Sequence, residues 1–245
     1  MKICITGATS GIGEASLHLF AQNSDHIIAI GRNEAKLAQL KLQYPDLVTP
    51  LILDIRDKEK VTKTLSSIND IDILINNAGL ALGMDPAQKS ELNDWDIMVD
   101  SNIKGVLYTT HTLLPKMVER KQGLIINVGS IAGTYPYPGG HVYGATKSFI
   151  HQFSLNLRAD LAGTNVRVTC LEPGMVKTNF SEIRYKGNHE KANKAYENIA
   201  YLTSEDIAKT IFWISTLPSH ININVLEIMP TAQSFGRFHY ERRSI

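Results

Sequence analysis

A tyrosine and a lysine four residues apart, Tyr143 and Lys147, have the clearest capacity for chemistry in this chain. They open a stretch of helical periodicity, and positions with this spacing share one face of a helix. A phenol has a pKa of about 10, and a nearby ammonium favours the phenolate. The pair could therefore move a proton to and from an alcohol oxygen. Because many exposed helix faces carry Tyr and Lys at this spacing by chance, the hypothesis needs support from elsewhere in the chain.

Two more polar residues give that support. Ser130 follows the apolar run 123–128, so we expect it at the carboxyl end of a strand, where open α/β sheets bind ligands. Its hydroxyl could bond a substrate oxygen, or it could be a turn serine. Asn102 lies inside a predicted helix, where asparagine is a mediocre helix former, which suggests a local kink that holds a water. We interpret His141 as a loop histidine, since Tyr143 already fills the acid–base role.

The elements that position these residues alternate along the chain. Near-continuous Ile, Val and Leu runs are typical of strands covered on both faces, and their alternation with helical stretches predicts parallel strands joined by right-handed crossovers. The sequence thus predicts a doubly wound α/β fold with a mostly parallel sheet flanked by helices on both faces, and its length suits one large domain as well as two small ones. Strands are predicted at 2–6, 26–30, 49–53, 72–75, 123–128, 165–171 and 224–228, and helices at 12–22, 33–43, 57–67, 92–120, 142–162 and 204–216.

A glycine-rich turn follows the first predicted strand and precedes a helix. Glycine lets the backbone turn tightly and approach a pyrophosphate without an intervening Cβ, and the helix N-terminus presents N–H groups to the phosphates. A plain turn with chance glycines is the alternative, but a place in the first βαβ unit is the context expected of a dinucleotide site. The predicted cofactor residues of this turn are Gly7, Thr9, Ser10, Gly11, Ile12 and Gly13.

The ends of the next strands indicate which dinucleotide is bound. Arg32, followed by Asn33, stands where an NAD site would place a carboxylate on the ribose hydroxyls. A guanidinium can pair with a 2′-phosphate, so NADP(H) is favoured over NAD(H); capping of a surface strand is the alternative. Asp54, before Ile55, could accept from the adenine amino group or cap the next helix.

A paired amide motif, Asn76-Asn77-Ala78-Gly79, follows the fourth predicted strand. Amides at this edge can pin the central sheet and line the cofactor floor, whereas a simple turn with Asn next to Gly is the alternative. Asn77, Ala78 and Gly79 are therefore predicted cofactor residues.

Composition narrows the class of protein. The chain has 25 Lys and Arg against 24 Asp and Glu, a net charge of +1, so it lacks the basic footprint of a nucleic-acid binder. Cys4 and Cys170 lie in apolar runs and are interpreted as small buried hydrophobes rather than as a disulfide or metal site. No apolar run reaches the length of a membrane span, and the N-terminus does not resemble a signal peptide. We expect a cytoplasmic protein without a metal.

Together these motifs resemble the short-chain dehydrogenase/reductase family over essentially the whole chain. The resemblance rests on the order and spacing of Thr6–Gly13, Asn76–Gly79, Asn102, Ser130, Tyr143 with Lys147, and Pro173-Gly174. It implies a single Rossmann-type domain with a seven-stranded sheet, in which residues 175–203 form a substrate lid. It also implies that the protein is a homotetramer.

The same resemblance implies roles for individual residues. Tyr143 would be the general acid–base, and Lys147 would bind the nicotinamide ribose and lower the tyrosine pKa. Ser130 would orient the carbonyl, and Asn102 would hold a water of the proton relay. Pro173, Gly174 and Val176 would pass beside the nicotinamide, and Thr178 would lie near the phosphates.

Four stretches that extend beyond the shared motifs are most similar to bacterial NADP-dependent 3-hydroxy acid dehydrogenases, which also oxidise serine and allo-threonine and reduce malonic semialdehyde. These are Asn76–Ala87, Tyr143–Leu157, Phe180–Gly187 and Trp213–Pro230. The chain departs from those enzymes at Arg32-Asn33, where they carry two arginines, and the turn Met175–Asn179 is one residue shorter. The similarity implies hydride transfer at the C3 carbinol of small 3-hydroxy acids.

The substrate side leaves alternatives open. Arg184, in the predicted lid, could bind a substrate carboxylate or be a solvated loop arginine. Reduction of apolar ketones or sugars is a second enzyme hypothesis, and a non-catalytic NADPH-binding sensor is a third. The polar, aromatic C-terminal tail would either fray or dock on a neighbouring subunit; it contains Phe235, Arg237, Phe238, Tyr240, Arg242 and Arg243.

Overall fold

A computed structural model describes residues 1–194 and 196–235. Its seven parallel strands form one sheet in the order β3-β2-β1-β4-β5-β6-β7. The predicted seven-stranded, doubly wound fold is therefore confirmed. The strands are β1 Lys2–Thr6, β2 His26–Gly31, β3 Val48–Ile52, β4 Ile73–Asn76, β5 Gly123–Val128, β6 Val166–Pro173 and β7 Val225–Ile228.

Helices cover both faces of this sheet, and an apolar core lies on each face. They are α1 Gly11–Gln22, α2 Glu34–Gln43, α3 Lys58–Leu65, α4 Leu92–Val99, α5 Gly105–Glu119, α6 His141–Asp160, α7 Phe180–Arg184, α8 His189–Lys194 and α9 Ser204–Thr216. The core on one face contains residues of α1, α2 and α9, and the core on the other contains residues of α3, α5 and α6. Burial on both faces explains why the strands are continuously apolar.

One predicted helix, 92–120, is interrupted. It consists of α4, a π-helical turn over Asp100–Lys104, and α5. The side chain of Asn102 accepts from the Leu80 backbone N–H and donates to the Leu80 carbonyl, both at 2.8 Å. This pair of bonds ties the turn to the segment after β4. The expected kink at Asn102 is thus a π-helical turn held by tertiary hydrogen bonds.

The segment between β6 and α9 contains two short helices, α7 and α8, that the sequence did not predict. A parallel bridge between Val176 and Leu202 joins the two ends of the segment. Lys186, in this segment, forms a salt bridge with Asp94 on α4, with 2.7 Å between Nζ and Oδ2. These contacts place the segment over the carboxyl ends of the strands.

Two remaining expectations concern the chain ends and the membrane. Phe235 packs its ring 4.8 Å from that of Tyr135, whereas the rest of the predicted tail, including Arg237, Phe238 and Tyr240, lies outside the described residues. No helix within residues 1–194 and 196–235 is long and apolar enough to cross a membrane.

Candidate active site

A cavity of about 900 Å³ opens at the carboxyl ends of the strands. It is lined by every predicted site residue except Gly13 and Asn102. The cavity extends from the turn after β1 and the end of β2 to the start of α6 and to α7. The sheet therefore gathers residues that are far apart in sequence into one continuous space.

The glycine turn shows why its sequence is constrained. Gly7 and Gly11 have φ values of +67° and +54°, in the left-handed region that favours glycine. Gly13 lies beneath the turn: a Cβ there would overlap the Gly7 carbonyl oxygen and stand 2.6 Å from Asn77 Nδ2. Gly13 thus allows α1 to pack against the turn, while Gly11 and Ile12 at the start of α1 line the cavity. Such a cradle of backbone at a helix N-terminus fits a diphosphate.

The two asparagines after β4 pin this region. Asn77 Nδ2 donates to the carbonyls of Thr6 and Gly7 at 3.0 and 3.2 Å. Asn76 Nδ2 donates to Asn127 Oδ1 at 2.9 Å, joining β4 to β5. These hydrogen bonds hold the central strands and the glycine turn together, as predicted. A simple turn would not need them. Ala78 and Gly79 continue along the cavity wall.

At the opposite end, Arg32 projects beside Asp54. The Arg32 side chain is 62 % exposed, and its Nη1 lies 3.8 Å from Asp54 Oδ2. Arg56 engages the same carboxylate more closely, through Nε at 3.0 Å and Nη2 at 2.6 Å. Hydrogen bonding from Arg56 holds the pKa of Asp54 below its usual value. Arg56 was missed by sequence reasoning, although the spacing Asp-x-Arg after a strand could have drawn attention to it.

The helix-capping alternatives at this end are resolved. Asp54 does not cap α3, because Asp57 does so by accepting from the Lys60 N–H at 3.0 Å. Asn33 caps α2 by accepting from the Lys36 N–H at 3.0 Å, while it also lines the cavity.

The reactive end is built on α6 and the loop after β5. Tyr143 and Lys147 are both buried on α6 and both line the cavity. Ser130 also lines the cavity, and its Oγ accepts from the Ala132 N–H at 3.1 Å. Asn102 stands behind them, where its Nδ2 also donates to Thr146 Oγ1 at 3.0 Å. The structure therefore brings Ser130, Tyr143 and Lys147 together, with Asn102 in support.

The pKa of Tyr143 is governed by burial. Burial raises it to about 12, and a hydrogen bond with Ser130 offsets only part of this rise. The Lys147 ammonium does not lower it in the chain alone, because Nζ donates to the Val128 carbonyl at 2.8 Å and stands 5.8 Å from the tyrosine ring centroid. Burial in turn lowers the pKa of Lys147 to about 8. The lowering of the tyrosine pKa by Lys147, which is expected beside a bound nicotinamide, stays a prediction.

The lid contributes a cation to the same end. Arg184 on α7 places its guanidinium 5.4 Å from the Tyr143 ring centroid and 5.3 Å from the Tyr137 ring centroid. It donates to the Tyr137 hydroxyl, and to the Gly83 carbonyl at 3.4 Å. Arg184 is therefore not a solvated loop residue. Tyr137 was not predicted; its position in the aromatic and proline-rich loop between Ser130 and Tyr143 was the available signal.

His141, by contrast, has structural partners. Its Nε2 lies 3.0 Å from Ser90 Oγ, and its Nδ1 accepts from the Val142 N–H at 2.9 Å. The expected loop position is wrong, because His141 is the first residue of α6. The absence of an acid–base role for His141 stays a prediction.

A seven-stranded parallel sheet with a glycine-rich first turn and a Ser–Tyr–Lys cluster at its carboxyl edge defines a dinucleotide-dependent oxidoreductase. A family model described as short chain dehydrogenase matches residues 1–188, and the chain belongs to this family. The predicted family and oxidoreductase class are both confirmed.

Individual relatives are similar over nearly the full length. The chain is 50% identical over 247 residues to an NADP-dependent 3-hydroxy acid dehydrogenase of Salmonella typhi, covering 99% of this chain and 100% of the relative. It is 48% identical to a serine 3-dehydrogenase of Rhizobium radiobacter, covering 99% and 98%. Among solved structures, the closed form of a serine dehydrogenase complexed with NADP+ has 50% identity and a TM-score of 0.97, covering 99% of this chain and 100% of that chain.

Proposed function

We propose that the chain is an NADP(H)-dependent oxidoreductase acting at the C3 carbinol of small 3-hydroxy acids such as serine, allo-threonine, 3-hydroxyisobutyrate or 3-hydroxypropionate. One observation carries the proposal: a single cavity joins Arg32, at its nucleotide end, to Tyr143 and the lid cation Arg184 at its reactive end. The similar enzymes that are named for NADP and for 3-hydroxy acids or serine support both halves of the proposal.

The residues present fit a dinucleotide phosphate. The backbone cradle at Gly7, Thr9, Ser10, Gly11 and Ile12 would hold the diphosphate, with Gly13 beneath it. Arg32 would pair with the 2′-phosphate, flanked by Asn33, Asp54 and Ile55 around the adenosine. The remaining part of the cofactor would be lined by Asn77, Ala78, Gly79, Pro173, Gly174, Val176 and Thr178. Lys147 would bind the nicotinamide ribose. When bound, the nicotinamide supplies the hydride donor or acceptor.

The chain's own residues handle the substrate oxygen and its proton. The Ser130 hydroxyl donates to the substrate oxygen and fixes it beside Tyr143. In the oxidising direction Tyr143 accepts the hydroxyl proton of the substrate, and in the reducing direction it returns a proton to the carbonyl oxygen. The raised pKa keeps the phenol protonated, which is the form that the second task needs. A nearby cation favours the phenolate, which is the form that the first task needs.

Asn102 has a more restricted part than expected. Its side-chain amide is engaged by the Leu80 backbone and by Thr146. A water relay from this residue would therefore start at its backbone carbonyl, within the π-helical turn. The side chain itself holds that turn in place behind Lys147.

Arg184 supplies the preference for an acid. Its guanidinium lies over Tyr143, so a carboxylate bound there would place the C3 hydroxyl of a small 3-hydroxy acid near the phenol. Replacing Arg184 with Ala should raise KM for serine and 3-hydroxyisobutyrate by about 10- to 100-fold, while KM for NADP+ stays nearly constant. The matched control is Arg158→Ala, a change near the end of α6.

A screen of purified protein with NADP+ or NAD+ tests the class of substrate, with NADPH absorbance as the readout. It compares serine, allo-threonine, 3-hydroxyisobutyrate and 3-hydroxypropionate with apolar alcohols and sugars. Turnover of the apolar alcohols in preference to the acids, with no effect of Arg184→Ala, would favour the carbonyl-reductase alternative. No turnover, with tight NADPH binding, would favour the sensor.

Further parts of the proposal concern organisation. We infer that residues 1–245 act as one domain with residues 175–203 as its substrate lid, and that four copies assemble in the cytoplasm. The contact of Lys186 with α4 and that of Arg184 with the segment before α4 support the lid, because they close the reactive end of the cavity.

A further inference from the structure

Three metal-binding side chains converge between α6 and β6, outside the cavity. His151 Nδ1 lies 2.8 Å from Glu172 Oε1, and Cys170 Sγ lies 3.5 Å from the same oxygen. The three ligand atoms all lie within 4.8 Å of one another. We call these residues the His–Cys–Glu cluster.

The fold explains why they meet. Cys170 and Glu172 are two residues apart on β6, so their side chains project from the same face of the sheet. His151 lies on α6 one turn beyond Lys147 and two turns beyond Tyr143. Cys170 and Glu172 are buried, whereas the His151 side chain is 32 % exposed and opens the cluster to solvent.

An ion pair between His151 and Glu172 does not account for the whole arrangement. The thiol of Cys170 points at the same carboxylate oxygen, which brings nitrogen, sulfur and oxygen donors to a common centre. This mixture is the ligand set of Zn²⁺ and of Co²⁺, and it is unsuited to Ca²⁺ or Mg²⁺, which prefer oxygen alone.

We propose that the His–Cys–Glu cluster is a binding site for a divalent transition-metal ion of the Zn²⁺ type. The ion would be held by His151 Nδ1, Cys170 Sγ and a Glu172 carboxylate oxygen. A fourth position would be left for water on the side of the half-exposed imidazole. Cys170 is buried, as the sequence predicted, and the proposal adds a ligand role to it.

Binding releases one proton. Burial and the neighbouring Glu172 carboxylate raise the pKa of Cys170 to about 12, so the chain alone holds the thiol. A coordinated thiol is deprotonated by the ion, and the proton leaves to the buffer. Affinity should therefore increase with pH.

The site is placed to affect turnover. His151 shares a helix face with Tyr143 and Lys147, and Glu172 directly precedes Pro173 and Gly174 on the cavity wall.

Titration of the metal-free full chain with Co²⁺ tests the proposal. A Co²⁺–thiolate bond gives a charge-transfer absorption that imidazole and carboxylate ligands do not give. We expect this band in the unmodified protein, and we expect Zn²⁺ to remove it by competition. The band should disappear in Cys170→Ser, and His151→Gln should weaken Co²⁺ binding by about tenfold or more.

The control is Cys4→Ala, which removes the other buried thiol, on β1, and should leave the band unchanged. His151→Gln alters a half-exposed side chain, so it remains informative if Cys170→Ser fails to fold. Absence of the band in the unmodified protein, or its persistence in Cys170→Ser, would overturn the proposal. Equal Co²⁺ affinity in His151→Gln would also overturn it.

Discussion

Tyr143 and Lys147 illustrate how far a single residue's chemistry depends on its surroundings. Their spacing predicts a shared helix face, and the structure has both on the buried face of α6. Burial moves their pKa values in opposite directions, to about 12 for the tyrosine and about 8 for the lysine. Desolvation disfavours whichever form is charged. The sequence predicted the pair, but the sign of the tyrosine shift depends on a burial that spacing does not encode.

Removal of the Tyr143 hydroxyl tests its acid–base role. Tyr143→Phe should lower kcat by about 10²- to 10⁴-fold, the usual contribution of general acid–base catalysis. NADPH binding, followed by fluorescence titration, should change little. Tyr135→Phe is a matched control, because that phenol also lines the cavity but donates to Glu227. A near-normal rate in Tyr143→Phe would show that another group moves the proton.

The lowered pKa of Lys147 has a consequence for stability. The unfolded chain holds this proton up to about pH 10.5, whereas the folded chain releases it above about pH 8. The free energy of unfolding therefore rises with pH across this interval, and the gain is lost as the pH falls through about 8. Relative to Lys147→Met, wild type should gain roughly 2 kcal/mol between about pH 7.5 and pH 9.5. Urea unfolding at the two pH values measures this; parallel curves for the two proteins would contradict it.

Arg56 should influence the choice of cofactor without contacting it. It engages Asp54 at 2.6 Å, so that carboxylate pairs only loosely with Arg32, at 3.8 Å, and competes less with a 2′-phosphate. Arg56→Met should therefore raise KM for NADP+ by about tenfold and leave KM for NAD+ nearly unchanged, with Arg56→Lys restoring part of the difference. Arg120→Met, at the opposite end of the sheet near Asp72, is the control. Equal changes for both cofactors would indicate a structural role only.

At the scale of elements, the packing of α1 against the turn before it depends on the close approach of Gly13 to Gly7. A Cβ at Gly13 would overlap the Gly7 carbonyl, so Gly13→Ala must push the helix away from the turn. Overpacking of this kind costs about 1–3 kcal/mol. We expect a lower Tm and weaker NADPH binding. Glu14→Ala, the next position on α1, should have little effect on either, because its contacts are surface ion pairs.

Element boundaries show what local sequence can predict. The caps Asn33 and Asp57 are readable from sequence, and they begin α2 and α3. The π-helical turn after α4 cannot be read from local sequence, because it depends on hydrogen bonds between Asn102 and Leu80, twenty-two residues away. The lid helices α7 and α8 are short, and their positions depend on contacts such as that of Lys186 with Asp94.

For the whole molecule, alternation of apolar strands and helices was sufficient to predict the sheet, since burial on both faces leaves a strong pattern. The cavity was predictable where the fold dictates it, at the carboxyl ends of the strands. Tyr137, Arg56 and the His–Cys–Glu cluster were not predicted. Each depends on contacts between side chains of elements that are distant in sequence, and such contacts leave no local sequence pattern.

The cavity wall draws on both ends of the chain. Gly7 lies near its beginning, while Gln233 reaches back to accept from the Met175 N–H at 2.7 Å and Phe235 lines the same space. The wall of the cavity is therefore complete only when residues as far along the chain as Phe235 have folded onto it. Dinucleotide can then stabilise the folded protein by mass action.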